Sequence, residues 1–293
     1  MKVTLTGATG FIGSHVLTEL QKHGHEVTAL VRDDAQADIV AARGAKPAVV
    51  NLSDRPAVAS LLSDADGAIH TASPGDATSA DLDSAVADAV IAAFAGTGKP
   101  FIGISGLWVY GANTSISEES RFNAPALVSW KEPIERRVLG ATGMRGAVIV
   151  SSVAYGDGGG GIPGLLLGSP RDDAGNLIML GTGQQHWSTV HVADLADFFR
   201  RVLEDDSARG RYVIGNGLNS TVAELTQAAA VAAGAPGAVP GSDDEARARL
   251  GDYFAEVLLL DQGTGASRAR AELGWDPSRP SLADEFRHGS YRK

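Results

Sequence analysis

A chain of 293 residues is long enough to bury a substantial core in one or two domains. Its formal net charge of -10 and its lack of a basic run argue against nucleic acid or a membrane surface as partner. The absence of cysteine excludes disulfides, thiolate catalysis and cysteine metal sites, and no metal site is expected. No apolar stretch is long enough to cross a bilayer. The first strand begins at residue 3, leaving no room for a secretory leader, so a cytoplasmic protein is expected.

Val3 to Val16, V-T-L-T-G-A-T-G-F-I-G-S-H-V, organises the chain. A β-branched run meets Gly7, Gly10 and Gly13, and a helical pattern follows at once. Gly7 allows the tight turn out of the strand, Gly10 lets the backbone approach a pyrophosphate, and Gly13 lets the helix pack on the sheet. The N–H groups of Phe11 and Ile12 then point at phosphate oxygens, and the helix dipole favours their charge. A dinucleotide-binding strand–turn–helix is expected, with Thr9 in the same turn.

The first helix runs from about Phe11 to His23, with Gly24 at its end, and Val27 to Val31 is the second strand. Arg32 follows directly, where the adenosine ribose lies in such folds. It suits the 2′-phosphate of NADP, although Asp33 and Asp34 come next, and NAD is the alternative cofactor. Ala35 to Arg43 is a helix and Pro47 to Leu52 the third strand. Ser53 is expected to cap a short helix with Pro56 in its first turn. Ala68 to Thr71 is the fourth strand, Ser79 to Ala95 a helix, Phe101 to Ser105 the fifth strand and Ala147 to Val153 the sixth. This alternation predicts an α/β, Rossmann-type, doubly wound parallel sheet. Domain bounds follow: 1–155 for dinucleotide binding, with 190–215 returning to it, and 156–189 plus 216–293 as a smaller C-terminal substrate lobe. Gly158 to Gly161 read as a loop, either a lid or plain solvent loop. Ser129 and Glu132 fit a capping box, as do Thr221 and Glu224.

T-G-A-T-G-F-I-G resembles the opening of the short-chain dehydrogenase/reductase superfamily, specifically its NAD-dependent epimerase/dehydratase (extended) branch. Other segments resemble it too: D-G-A-I-H-T-A-S at the fourth strand, W-S-T-V-H-V-A-D-L-A before a helix, and L-G-W-D-P near the end. The resemblance puts Asn51 and Leu52 beside the adenine and Thr71, Ala72 and Ser73 on the ribose side. It also puts Ser152 and Val153 at the cofactor. His70 reads as structural, and so do His191 and Asp194.

In that superfamily a tyrosine moves the proton, a lysine four residues later lowers its pKa and holds the ribose, and a serine or threonine binds the reacting oxygen. Those two positions must share a helix face. None of the five tyrosines has a lysine at that spacing. Aligning W-K-E-P-I-E-R-R-V-L on Glu135 puts the lysine at Lys131 and the tyrosine position at Leu127. I-S-G-L-W-V-Y-G puts the hydroxyl position at Gly106, with Ser105 one residue earlier. Lys131, Ser105 and Tyr110 are therefore the catalytic candidates, Lys131 also contacting the cofactor ribose. Tyr155 and His186 are the other candidate proton donors. Leu107, Trp108, Leu127, Trp130, Tyr155, His186 and Trp187 are the substrate-side candidates, their aromatic rings suiting a small apolar carbonyl or imine. The resemblance implies an NAD(P)H-dependent oxidoreductase acting on a small molecule without the usual tyrosine. The alternatives are a non-catalytic NADP-binding sensor and a sugar-nucleotide epimerase or dehydratase. A monomer and a homodimer both remain open.

Overall fold

A computed structural model describes Met1 to Arg292. Its elements, in order, are β1 (Lys2–Thr6), α1 (Phe11–Lys22), β2 (Glu26–Val31), α2 (Asp34–Ala42), β3 (Lys46–Val49), α3 (Arg55–Ser63), β4 (Gly67–His70), α4 (Ser79–Phe94) and β5 (Pro100–Gly106). A short 3-10 turn over Leu107–Tyr110 leads to β6 (Asn113–Ile116), α5 (Lys131–Leu139), β7 (Arg145–Ser151), β8 (Val153–Tyr155), α6 (Gly161–Leu167), β9 (Leu177–Ile178), β10 (His186–His191) and α7 (Val192–Glu204). Then come β11 (Gly210–Ile214), β12 (Asn219–Thr221), α8 (Val222–Ala232), β13 (Ala238–Val239), α9 (Asp243–Leu250), α10 (Asp252–Leu258), β14 (Gln262–Thr264), α11 (Ser267–Leu273) and α12 (Leu282–His288).

The main sheet has seven strands in the order β11-β7-β5-β4-β1-β2-β3. β1 pairs parallel with β2 and β4, β2 with β3, and β4 with β5. This is the doubly wound order, reversing at β1, and it follows from strands that are apolar on both faces and joined by helices. The expected sixth strand is cut short. The Ser152 amide and hydroxyl both donate to the Ile214 carbonyl, at 2.9 and 2.6 Å, and the chain then leaves as β8 to pair with β10.

Two compact units divide the chain. The first comprises Met1–Ser105, Trp130–Ile149 and Ala196–Tyr212, and the second Gly106–Ser129, Val150–Leu195 and Val213–Lys293. Gly106–Ser129, assigned from sequence to the nucleotide-binding part, clusters with the second unit. One core of the first unit joins Val58, Leu62, Val86, Val90, Phe94, Phe101 and Val138. In the second, Tyr155, Leu180, Trp187, Leu225, Leu258 and Phe286 share one buried cluster. Arg145 anchors the first unit from inside, its guanidinium donating to the carbonyls of Val202, Leu203 and Ala208 at 2.7, 2.6 and 3.2 Å.

Three local expectations change. Asp54, not Ser53, caps α3, accepting from the Ala57 amide at 3.1 Å. The Ser129 box does not form: Ser129 Oγ turns back to the Ala126 carbonyl, Glu132 reaches forward to Arg136, and α5 starts at Lys131. The glycine run is not all loop, since Gly161 opens α6. Its approach is tied down by the Tyr291 hydroxyl, which accepts from the Gly156 amide at 2.8 Å and donates to the Gly159 carbonyl. The Thr221–Glu224 box forms in full.

Candidate functional site

The turn after β1 is built around three glycines, of which Gly7 and Gly13 leave no room for a side chain. Gly7 has φ +77°, and a Cβ there would lie 2.6 Å from the Ala72 nitrogen. A Cβ on Gly13 would lie 2.1 Å from the Gly7 carbonyl oxygen. The loop closes through the Gly10 amide, which donates to the Gly7 carbonyl at 2.9 Å. Gly10 is the N-cap of α1 and offers no side chain to the first-turn amides. Those of Phe11, Ile12 and Gly13 are the groups a helix start offers to an anion.

A groove of about 580 Å³ opens over this turn at the C-terminal ends of β1, β2, β3 and β4. It gathers nine of the cofactor candidates: Gly7, Thr9, Gly10, Arg32, Asn51, Leu52, Thr71, Ala72 and Ser73. Thr71 is fixed by its hydroxyl, which donates to the Thr6 carbonyl at 2.8 Å. The Arg32 side chain is 80% exposed. Asp33 is committed elsewhere: one oxygen caps α2 through the Gln36 amide at 2.8 Å, and the other accepts from Arg32 Nε at 3.2 Å.

Lys131 does not line this groove. It ends a buried polar chain that starts one residue before Gly7. Thr6 Oγ1 lies 2.6 Å from His70 Nδ1, His70 Nε2 lies 3.2 Å from Asp83 Oδ1, and Lys131 Nζ donates to Asp83 Oδ2 at 2.7 Å. Lys131 Nζ also faces the Ile104 carbonyl at 3.4 Å and sits 4.5 Å from the centre of the Trp130 ring. Burial by itself would raise the Asp83 carboxyl, but the His70 hydrogen bond and the charges of His70 and Lys131 outweigh it and hold it below the usual carboxylate range. Ser105 follows Ile104 on β5; its hydroxyl is buried and has no hydrogen-bond partner among the described residues. The first unit thus brings Lys131, Asp83 and His70 together beside the Ile104 carbonyl, and Ser105 is the next residue on β5.

The remaining candidates belong to the second unit, except Trp130, whose ring lies under Lys131. Ser152 and Val153 sit at the break between β7 and β8. Tyr110 and Leu107 are buried, Tyr110 packing on Phe122 at 5.3 Å between ring centres. Tyr155 is fully buried and donates to the Pro280 carbonyl at 2.7 Å. Burial pushes its phenol well above the usual value, the opposite of what a proton donor near neutrality needs. Trp187, expected at an aromatic mouth, is core instead, with its indole donating to the Leu258 carbonyl at 3.0 Å. Trp108 is half-buried against Phe254, and Leu127 is 38% exposed in the turn before α5. His186 is half-exposed and pairs through Nδ1 with Asp261 at 2.9 Å. His191 and Asp194 form no pair with each other. His191 Nδ1 accepts from the Ala193 amide, and Asp194 accepts from the Arg279 amide at 3.1 Å.

Two site residues were not foreseen. Gln36 lines the groove from the first turn of α2. Asp83 was legible in principle: it falls on the buried stripe of α4 with Ser79, Val86 and Val90, and a carboxylate in a buried stripe needs a cationic partner.

Residues 7–154, just over half of the chain, match the model of a family described as NAD(P)H-binding. The chain belongs to that family. An uncharacterized protein of Schizosaccharomyces pombe is 26% identical over 99% of this chain and 100% of the relative. The epimerase family protein SDR39U1 of Mus musculus is 26% identical over 96% of this chain and 97% of its own length. A 3-diazoavenalumate denitrifying reductase from a Streptomyces species is 26% identical over 97% of this chain and 98% of its length. The crystal structure of human SDR39U1 with NADPH superposes with a TM-score of 0.76, at 22% identity, over 99% of both chains. The expected likeness to the epimerase/dehydratase branch of the short-chain dehydrogenase/reductase superfamily is thereby shown. Among the described residues no cluster of potential metal ligands occurs, and no helix is long and apolar enough to cross a membrane.

Proposed function

We propose that this protein is an NADP(H)-dependent oxidoreductase that reduces a small carbonyl or imine without the usual tyrosine. The observation that carries this reading is the Lys131–Asp83 pair at the Ile104 carbonyl of β5, in the same unit as the dinucleotide groove, with the unsatisfied Ser105 hydroxyl on the next residue of that strand. The groove fits the cofactor because the Gly7 and Gly13 cradle leaves backbone where side chains would stand. Gly7, Thr9, Gly10 and the first-turn amides would hold the pyrophosphate, and Asn51, Leu52, Thr71, Ala72 and Ser73 the adenosine and ribose. Bound there, the nicotinamide carries the hydride.

The protein's own part is positioning and charge. Ser105 Oγ has a proton to donate to a substrate oxygen or nitrogen, and its burial makes that bond stronger than in water. The Lys131 ammonium has three donors, of which Asp83 takes one and the Ile104 carbonyl another; the third is left for a ribose hydroxyl. The Streptomyces reductase among the relatives supports reductive chemistry, and the NADPH-bound human structure supports the phosphorylated cofactor.

NADP is preferred over NAD because Asp33, the acidic residue that would accept from a ribose 2′-hydroxyl, is consumed by the α2 cap and by Arg32, while the guanidinium stands at the groove. Calorimetric titration with NADPH and NADH tests this. Arg32→Ala should weaken NADPH by about 1.5–3 kcal/mol, the range of a charge-assisted hydrogen bond, and leave NADH nearly unchanged. Equal affinities in the wild type refute it. Oxidation of bound NADPH, followed at 340 nm against a panel of aldehydes, ketones and imines, tests the reaction.

A second reading, a non-catalytic NADP-binding sensor, is favoured by one feature: the Lys131 charge is spent on Asp83 and activates no tyrosine. Tight NADPH binding with no turnover of any substrate would support it. Epimerisation and dehydration of sugar nucleotides lean hardest on the missing tyrosine and are the least supported.

A further inference from the structure

The polar chain Thr6–His70–Asp83–Lys131 does something that no motif in the sequence announces. Its members lie on four elements, β1, β4, α4 and α5. Three of its four side chains are buried, and the Lys131 side chain is only 16% exposed. A buried ion pair of this kind is costly to assemble and seldom adds stability beyond what apolar residues would give. What it does supply is direction. A lysine side chain has four rotatable bonds, and its head is oriented only when a partner fixes it. Asp83 is that partner, and the Asp83 carboxylate is itself fixed by His70, whose other nitrogen meets Thr6 beside the glycine turn.

We propose that Asp83, aligned by His70, is the positioning residue for Lys131. The inference rests on the reading of Lys131 as the contact to the cofactor ribose. Asp83 acts through Lys131 and touches neither cofactor nor substrate. Two consequences follow. Removing the Asp83 charge weakens cofactor binding, and it does so only when Lys131 is present.

The full-length protein, its Asp83→Asn, Lys131→Met and double variants, and Asp83→Glu test this. NADPH is titrated into each by calorimetry, and each unfolding midpoint is recorded. Asp83→Asn is near-isosteric and should bind NADPH about tenfold more weakly, as should Lys131→Met. The double variant should be no weaker than the weaker single variant, and Asp83→Glu should recover part of the loss. A second readout needs no cofactor: acetylation of Lys131, one of six lysines, followed by peptide mass spectrometry, should speed up several-fold in Asp83→Asn. Wild-type affinity in Asp83→Asn, or losses that multiply in the double variant, overturns the inference and marks Asp83 as a structural residue. Unchanged acetylation also overturns it. A wild-type protein that binds neither NADPH nor NADH defeats the cofactor reading itself, and the inference with it.

Discussion

Gly13→Ala tests the fit of helix to sheet that the whole site depends on. The new Cβ would lie 2.1 Å from the Gly7 carbonyl oxygen and 2.6 Å from both the Gly7 carbonyl carbon and the Thr71 hydroxyl, where ordinary contact is 3.4–4 Å. The two Gly7 atoms are backbone, so no side chain can rotate away. α1 or the Gly7 turn must retreat by more than an ångström. Overpacking of this kind costs about 1–3 kcal/mol. At roughly 2–4 °C per kcal/mol for a chain of this size, the unfolding midpoint should fall by about 2–12 °C. The same retreat spoils the approach of the first-turn amides to the pyrophosphate, a loss of about 1.5–3 kcal/mol in NADPH binding. Gly24→Ala is the control. Gly24 also has positive φ, +78°, but nothing lies within 4 Å of a Cβ there, so it should cost stability and leave NADPH affinity alone. Differential scanning fluorimetry and calorimetry on the three proteins decide. A Gly13→Ala protein with unchanged midpoint and affinity would refute the reasoning.

His191 and Thr221 give two further tests in the second unit. Burial holds the His191 imidazole below its usual range, and Nδ1 accepts from the Ala193 amide at 3.1 Å, which a protonated ring cannot do. Below about pH 6.5 the unfolded chain therefore takes up a proton that the folded protein resists, so stability is full above that pH and declines as pH falls through it. Urea midpoints at pH 7.5 and 5.5 should show a smaller drop for His191→Asn than for the wild type, and equal drops would refute the assignment. Thr221→Ala removes the bond from the Glu224 amide, at 3.1 Å, and should cost about 0.5–2 kcal/mol. Thr221→Ser should keep most of that, and denaturant unfolding measures both.

The sequence by itself determined what depends on neighbours along the chain. The glycine turn was legible because the residue without a Cβ is the only one that fits a positive φ at Gly7 and a helix lying on its carbonyl. The alternation of β-branched runs with helical patterns carried the doubly wound sheet. The Thr221–Glu224 box was legible because its two bonds span three residues. The Ser129–Glu132 box has the same spelling and did not form, since Ser129 and Glu132 each found another partner, Ala126 behind and Arg136 ahead. Burial and long-range pairing were decided by the tertiary structure. Trp187 and Tyr155 were candidates for a substrate mouth until the second unit closed a core around them. Alignment singles out Lys131, but its partner Asp83 lies 48 residues away, and His70 meets Thr6 across 64. Such contacts exist only once four elements have stacked, because a side chain a few ångströms long meets a distant partner only where the backbone brings the two together.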